Sequence, residues 1–365
     1  MVHQFQALRD KGFSDEVIER MQRVHTLSTN KVYQSQWKLF ESWCLDRGLD
    51  PIAATSVCIC DFFLYLFNER KISVKSIEGC KSALTWFLQR SSGYDLSDCR
   101  VVSDLIRGFR LERPPAPRVE VRWDIALVLR FLQSERFLGD AVSARWITMK
   151  AVFLVALAAG KRRSEIHALE RASLTWSDGD LSVSLKPHPR FLSKTYLSRS
   201  GTSALTSVSI PALPAVDDTT PLLCPVRTLR HYITLSDAYR SPAQKALFIS
   251  YVKSFDRDIC PQRISSYIKQ TIVAAYKEAE ALPDDVIARD LNIKAHQVRH
   301  VAHSLGQLGQ LPLSDIIRTG NWSTPNTFIK HYLQHLSDDN VTNLQSVGSF
   351  VAIEKVFEPR DPIVF

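Results

Sequence analysis

Apolar and polar positions along this chain fall into two regimes. From residue 14 to 110 the apolar residues recur at helical spacing, and no alternating stretch demands a strand. SDEVIERMQRV opens on Ser14 as an N-cap, with acidic residues in the first turn. NKVYQSQWKLFESWCLDRG sets Val32, Trp37, Phe40 and Trp43 near one face and stops at Gly48, after which Pro51 opens a loop. VCICDFFLYLFNER, SVKSIEGCKSALTWFLQR and SDLIRGFRLER predict three further helices. No solenoid repeat is present.

The second regime begins after RPPAPRVEVR, residues 113–122, where closely spaced prolines disfavour helix and stiffen the chain. This stretch is read as a linker between a helical block, 1–112, and a second domain, 123–365. DIALVLRFLQ and ARWITMKAVFLVALAAG predict helices, the second apolar enough to lie at the centre of a core. The period then changes. Leu174 and Trp176 alternate with polar residues, Asp178-Gly179 signals a two-residue hairpin turn, and Leu181, Val183 and Leu185 alternate again. TSVSIPAL, residues 206–213, is a candidate third strand. Helices return in CPVRTLRHYITL, ISSYIKQTIVAAYKEAEA, the segment around His296, SDIIRT and TPNTFIKHYLQHL. The expected fold class is mostly α with a small antiparallel β-sheet.

Charge narrows the partners. The 365 residues carry 46 Lys and Arg against 38 Asp and Glu, a net charge of +8. Residues 1–120 hold 17 basic against 15 acidic side chains, and the remainder 29 against 23, so the excess sits mainly in the second domain. A basic excess favours a polyanion such as nucleic acid. No window approaches the run of apolar residues that a membrane span needs, and MVHQFQALRDKGF is not composed like a signal peptide, so no membrane partner is expected. The seven cysteines are scattered without a CxxC pair, which points to reduced thiols.

Three segments combine basic groups with a hydroxyl: AGKRRSEIHALE (159–170), KAHQVRHVAHS (294–304) and GNWSTPNTFIKHYL (320–333). His296, His300 and His303 stand at i, i+4 and i+7, the spacing of a helical metal face. A nearby fourth ligand and a supporting carboxylate are lacking, so no metal is expected. The order of the segments carries more. R-x-x-E follows a helix ending in AAG. A β-hairpin with lysines beyond it comes next, then H-x-x-R, a G-x-W and a tyrosine.

That order resembles the tyrosine recombinases, the phage integrase family, over roughly residues 145–335. The matching residues are Arg162, Glu165, His296, Arg299, Trp322 and Tyr332. WKLFESWC, LLCPVRTLRHYI, RFLSKT and NWSTPNTFIKHY look most like the recombinases of DIRS-type retrotransposons. The resemblance implies a two-domain DNA clamp: an all-helical core-binding domain and an α+β catalytic domain. It also implies an enzyme that cleaves and rejoins double-stranded DNA through a covalent 3′-phosphotyrosine, without cofactor or metal. Assembly would be a tetramer on two DNA sites, from a monomer or dimer without DNA. Such an enzyme would integrate mobile-element DNA, in the nucleus if the element is eukaryotic and otherwise in the cytoplasm or nucleoid.

The residue types suit that chemistry. Attack by a tyrosine oxygen on a phosphodiester loads charge on two non-bridging oxygens, and Arg162 and Arg299 can clamp these with bidentate hydrogen bonds while staying protonated. Tyr332 is the nucleophile that the resemblance implies, and His296 would take its proton or donate to the phosphate. Trp322 stands where many members carry a second histidine; its indole N–H can donate but not shuttle a proton. The lysine that protonates the departing 5′ oxygen would be Lys194 in RFLSKT or, alternatively, Lys186 after LSVSL. Glu165 is either a surface ion pair with Arg162 or a carboxylate that orients the site. His300 is a candidate hydrogen-bonding neighbour behind the groups that touch the phosphate, and His303 is expected to pack against neighbouring helices. The tail SFVAIEKVF would dock on its own domain or reach a neighbouring protomer. Rival readings are a type IB topoisomerase and a domesticated DNA-binding protein that no longer cleaves.

Overall fold

The computed structural model describes residues 6–10, 12–22, 24–115, 121–138, 142–193, 207–213, 220–252, 257–280, 287, 291–308 and 312–314. The chain divides into two compact units, residues 1–118 and 119–365. Among the described residues the first is all helical: α1 Gln6–Asp10, α2 Asp15–Gln22, α3 Leu27–Leu45, α4 Ser56–Asn68, α5 Val74–Ser91 and α6 Arg100–Glu112.

Hydroxyl caps start the longer helices of this unit. The Thr26, Thr55 and Ser73 side chains accept from the backbone N–H groups of Thr29, Cys58 and Ser76. Helix α3 packs on α5, and α4 packs on α5 and α6. Between them lies an aromatic core of Trp37, Phe40, Trp43, Phe62, Phe63, Phe67 and Phe87. Phe67 stacks on Phe109 at 4.2 Å, and the Arg113 guanidinium lies 3.8 Å from the Phe67 ring centre. Arg113 also donates to the carbonyls of Phe67 and Ile72, which fastens the end of α6 to its own unit. Val32, expected on the buried face of α3, is instead exposed. It sits five residues before Trp37, nearer the opposite side of the helix than the same face, so that face does not cover it.

The second unit runs α7 Ile125–Leu132, α8 Ala144–Ala159, α9 Arg163–His167, β1 Thr175–Trp176, β2 Ser182–Leu185, β3 Val208–Pro211, α10 Thr220–Leu223, α11 Pro225–Asp237, α12 Pro261–Glu280 and α13 Gln297–Leu308. It is mostly helical with a three-stranded antiparallel sheet in the order β1-β2-β3. Helix α8 is the axis of its core. From Ile147 to Ala159 every residue is buried, and α11, α12, α13 and β3 all pack on it. A helix apolar on all sides is stable only when surrounded in this way. One ionisable group lies inside it: the Lys150 ammonium donates to the Leu132 carbonyl at 2.7 Å, and burial pushes its pKa down to about 7.

The hairpin differs from its sequence reading. Thr175 pairs with Ser184 and Trp176 with Val183, so residues 177–181 form the connection rather than Asp178-Gly179 alone. The Ser177 hydroxyl accepts from the Ser182 N–H at 2.7 Å, and the Ser177 N–H donates to the Ser182 carbonyl. Gly179 and Asp180 both take positive φ inside this longer turn. Leu181 is consequently turned outward, while Val183 and Leu185 face the core.

Where α8 ends, backbone and packing make the same demand. Gly160 adopts the left-handed conformation, φ 55°, as the cap, and donates to the Ala156 carbonyl. A Cβ built there would lie 2.5 Å from Cε1 of His303 on α13. Glycine is required twice over, by its φ and by the imidazole seated against it. Gly160→Ala should therefore destabilise the fold by about 1–3 kcal/mol, read as a lower urea midpoint at unchanged m-value. An unshifted midpoint would show that the His303 ring is not held there.

Candidate active site

The turn after Gly160 leads directly into the site. Lys161 is half-buried, and Arg162 caps the short helix α9, whose third residue is Glu165. The Glu165 side chain is 0% exposed. Burying a carboxylate is costly unless donors surround it. Glu165 accepts from the Arg162 backbone N–H at 2.7 Å (Oε2), from the Arg162 guanidinium at 2.9 Å (Oε1) and from Arg299 Nη1 at 3.4 Å (Oε2). It is not a surface ion pair; it is a buried bridge between two arginines, one of them 134 residues away in sequence.

Arg299 is itself buried, with 3% of its side chain exposed, whereas Arg162 retains 18%. Helix α13 holds Arg299 in place from its first turn. Gln297 Oε1 accepts from the buried Trp123 indole at 3.1 Å and from the Lys294 N–H at 2.7 Å, which pins the start of the helix. One turn beyond Arg299, His303 Nδ1 lies 2.6 Å from the Arg299 carbonyl. A carbonyl only accepts, so Nδ1 carries the proton. The Arg163 guanidinium donates to Ser265 Oγ at 3.2 Å and ties α9 to α12.

The electrostatics follow from this crowding of cations. Burial first, and then Arg299, Lys161 and His300, hold His303 well below the ordinary histidine value, so it is neutral. Partial desolvation lowers His296, helped by Lys294, Arg163 and Lys269 around it. Lys161 is pushed down to about 8, by burial first and by the charges of Arg299 and Arg162, against the opposing pull of Glu165. Among the described residues, the charges acting here are those of Lys161, Arg162 and Arg299 against the Glu165 carboxylate.

No family model matches the sequence, and no curated relative does. Solved structures do match. An integrase of the Tn1549 transposon, solved in complex with transposon right end DNA, aligns with a TM-score of 0.53 at 15% identity, over 88% of this chain and 94% of that one. A lambda integrase dimer bound to a COC′ core site aligns at 0.49 and 12% identity, over 88% and 95%. XerA recombinase aligns at 0.40 and 14% identity, over 94% and 96%. The fold is that of the tyrosine recombinases.

On this recombinase fold the sequence-derived residues separate into three groups. Arg162, Glu165 and Arg299 meet in one cluster. His296 precedes α13 and is exposed, with its ring 5.1 Å from that of His300 in an edge-on contact, and His300 is half-buried. His303 departs from the face of the other two histidines and packs inward on Gly160. Lys186 follows β2 with an exposed side chain, its backbone N–H donating to Ser173 Oγ at 2.8 Å. Lys194, Trp322 and Tyr332, together with the 345–365 tail, lie outside the described residues.

Sequence reasoning missed Lys161. In GKRRSE it looks like one more surface cation, and only its burial beside Arg162 and Arg299 sets it apart. It also missed the seat of His303 on Gly160, for which the AAG ending of α8 was the available signal.

The state of His303 gives a pH prediction. Its folded pKa lies below its unfolded value of 6.5, so the unfolded chain takes up the extra proton first. Its contribution to stability is complete above about pH 6.5 and is lost as pH falls through the folded value. Melting temperatures measured from pH 8 to pH 5 should fall at the acid end, and less steeply in His303→Gln. Parallel acid limbs in the two proteins would assign the loss to other groups.

Proposed function

We propose that this protein is a DNA recombinase that breaks and rejoins double-stranded DNA through a tyrosine, with Tyr332 as nucleophile. The observation that carries the reading is the convergence of Arg162 and Arg299 on buried Glu165. One carboxylate offsets one of the two guanidinium charges, and the remaining positive charge suits a phosphodiester. In the attack, negative charge grows on the non-bridging oxygens, where preorganised guanidinium donors stabilise it most. A carboxylate that already fixes both arginines spares the transition state their reorganisation.

His296, neutral at pH 7 and beside Arg162's helix, is the acceptor for the phenol proton. The phosphotyrosine keeps the energy of the bond that was cut, so the free 5′ hydroxyl can reverse the step without a nucleotide cofactor. The helical first unit would complete a clamp on DNA. Integration of mobile-element DNA, of the DIRS type by resemblance, is the biological role proposed, with two pairs of protomers on two sites and a nuclear location in a eukaryotic host. The exposed cations Arg163, Lys269 and Lys294 around His296 extend the positive surface beyond the cluster and suit flanking phosphates.

The decisive experiment selects the target sequence as it runs. A library of duplexes, each nicked beside a randomised stretch, is incubated with the protein, and DNA that survives denaturing detergent on the protein is sequenced. Wild type should trap a defined sequence and Tyr332→Phe none. Arg299→Ala should slow trapping by about 10²–10³-fold. Trapping that persists in Tyr332→Phe would remove the nucleophile assignment.

Binding offers an independent check on the basic surface. Lys269→Glu with Lys294→Glu should weaken DNA binding uniformly across sequences. It should also reduce the slope of log K against log salt by roughly 0.9 for each phosphate no longer neutralised. An unchanged salt slope would exclude those lysines from the interface.

A further inference from the structure

His296 and Arg299 stand in one short stretch of chain, and that stretch is closed from inside the protein. The Gln297 N–H donates to the Lys294 carbonyl at 2.9 Å. The Gln297 side chain returns to the same residue, its Oε1 accepting from the Lys294 N–H at 2.7 Å. A glutamine reaching back in this way is half of a capping box. His296 lies within the closed turn, and its carbonyl accepts from the His300 N–H at 3.4 Å. The same Oε1 takes a second bond, from the Trp123 indole at 3.1 Å, across 174 positions of sequence. Both side chains are buried, with 1% of Trp123 and 2% of Gln297 exposed.

Trp123 is a firm anchor because the backbone beside it is held twice. The Asp124 N–H donates to the Tyr276 hydroxyl on α12 at 2.6 Å, and Asp124 Oδ1 accepts from the Ala126 N–H at 2.8 Å to start α7. Trp123 also directly follows the stretch 113–122, so the chain's entry into the second unit is tied to the turn that carries His296. Packing alone does not call for this pair. An apolar ring against an apolar side chain fills the same space with no polar groups to satisfy. Placement does call for it. Arg299 Nη1 meets Glu165 at 3.4 Å, the weak end of hydrogen-bond geometry, where Arg162 meets it at 2.9 Å. The carboxylate therefore orients Arg299 less firmly than Arg162. His303 holds the Arg299 carbonyl from one side, and Gln297 holds the start of the helix from the other.

We propose that Trp123 and Gln297 are positioning residues for phosphoryl transfer, their indole–amide bond fixing the turn that presents His296 and Arg299 to the scissile phosphate. The inference rests on the recombinase reading. Buried as they are, the two side chains act through His296 and Arg299 and not on the DNA itself. Their loss leaves the charge of the site intact and loosens its geometry, so it slows the chemical step and spares binding. A misplacement of about 1 Å at reacting groups can cost roughly 10²-fold in rate.

The test follows covalent trapping in single turnovers on the duplex that wild type selects. Protein concentration is varied, so that the limiting rate and the half-saturating concentration are read separately. Trp123→Phe removes the N–H and keeps an aromatic ring, and Gln297→Met removes the acceptor and keeps an unbranched side chain. Each should lower the limiting rate about 10–10²-fold and leave half-saturation within about twofold of wild type. The double variant should be no slower than Gln297→Met, since both changes break one bond. Tyr232→Phe serves as the control. The Tyr232 hydroxyl accepts from the Ile249 N–H at 2.9 Å, so this variant loses a buried bond of like kind between α11 and residue 249. It should melt at a lower temperature and still trap at the wild-type limiting rate.

Wild-type limiting rates in both single variants overturn the proposal. So does slowing that Tyr232→Phe shares, a loss confined to half-saturation, or a double variant slowed by the product of the two single effects. Melting curves confirm that each variant is folded at the assay temperature, and if Gln297→Met is not, Trp123→Phe decides alone. If wild type forms no Tyr332-dependent adduct, the recombinase reading has failed and the positioning role fails with it. Failure of the positioning role alone leaves the wild-type adduct intact.

Discussion

A buried carboxylate organises the second unit's chemistry. Glu165 is withdrawn from water, and its charge is held by a backbone N–H and two guanidiniums. Removing one partner of such a group leaves a buried charge uncompensated, a loss of about 3–5 kcal/mol. The dependence is mutual. Arg299, almost fully buried on α13, needs the carboxylate as much as the carboxylate needs it. The bridge therefore joins α9 to α13 and sets where the two guanidiniums point. It also leaves a positive surplus among the described groups, and that surplus defines what the site can receive.

The bridge stands only because the backbone around it is constrained. Helix α8, apolar on all sides, cannot move without exposing the core. Its left-handed end at Gly160 turns the chain so that Lys161 and Arg162 follow within two residues. His303 closes the gap from α13, and Gln297 anchors that helix to Trp123 from below. The His303 and Gln297 contacts join α13 to residues well over a hundred positions earlier in the chain. The precision of the arginine pair thus comes from packing, not from local helix geometry.

Packing also separates what was legible in the sequence from what was not. Helices such as Leu27–Leu45 and Ala144–Ala159 were legible because burial of one face, or of all faces, leaves a periodic imprint. The order of Arg162, His296 and Arg299 was legible as a family-like succession of motifs. The hairpin turn was misjudged because Asp-Gly favours a two-residue turn, while the Ser177–Ser182 hydrogen bonds close a longer one. Val32 carries the apolar imprint without the burial, since the neighbouring helices cover only part of α3. Glu165 was legible as a candidate that orients the site, but its burial was not, and Lys161 was missed for the same reason. Charged residues in a GKRRSE run read as solvated surface, and burial, which separates the two cases, is a property of the folded chain.

Burial and the same crowding of cations leave the two titratable groups in different states. A positive environment lowers the pKa of any nearby base, yet the consequence depends on where that base starts. A histidine begins near 6.5, so partial burial, with the push from Lys294, Arg163 and Lys269, leaves His296 without a proton at neutral pH. A lysine begins near 10.5, so burial beside Arg162 and Arg299 brings Lys161 only to about 8, still protonated at neutral pH. Burial and the neighbouring cations push both pKa values down, and the two groups end in different charge states because they start from different values. Glu165 then acts as the counterweight. It opposes the fall at Lys161 that burial and the two arginines cause.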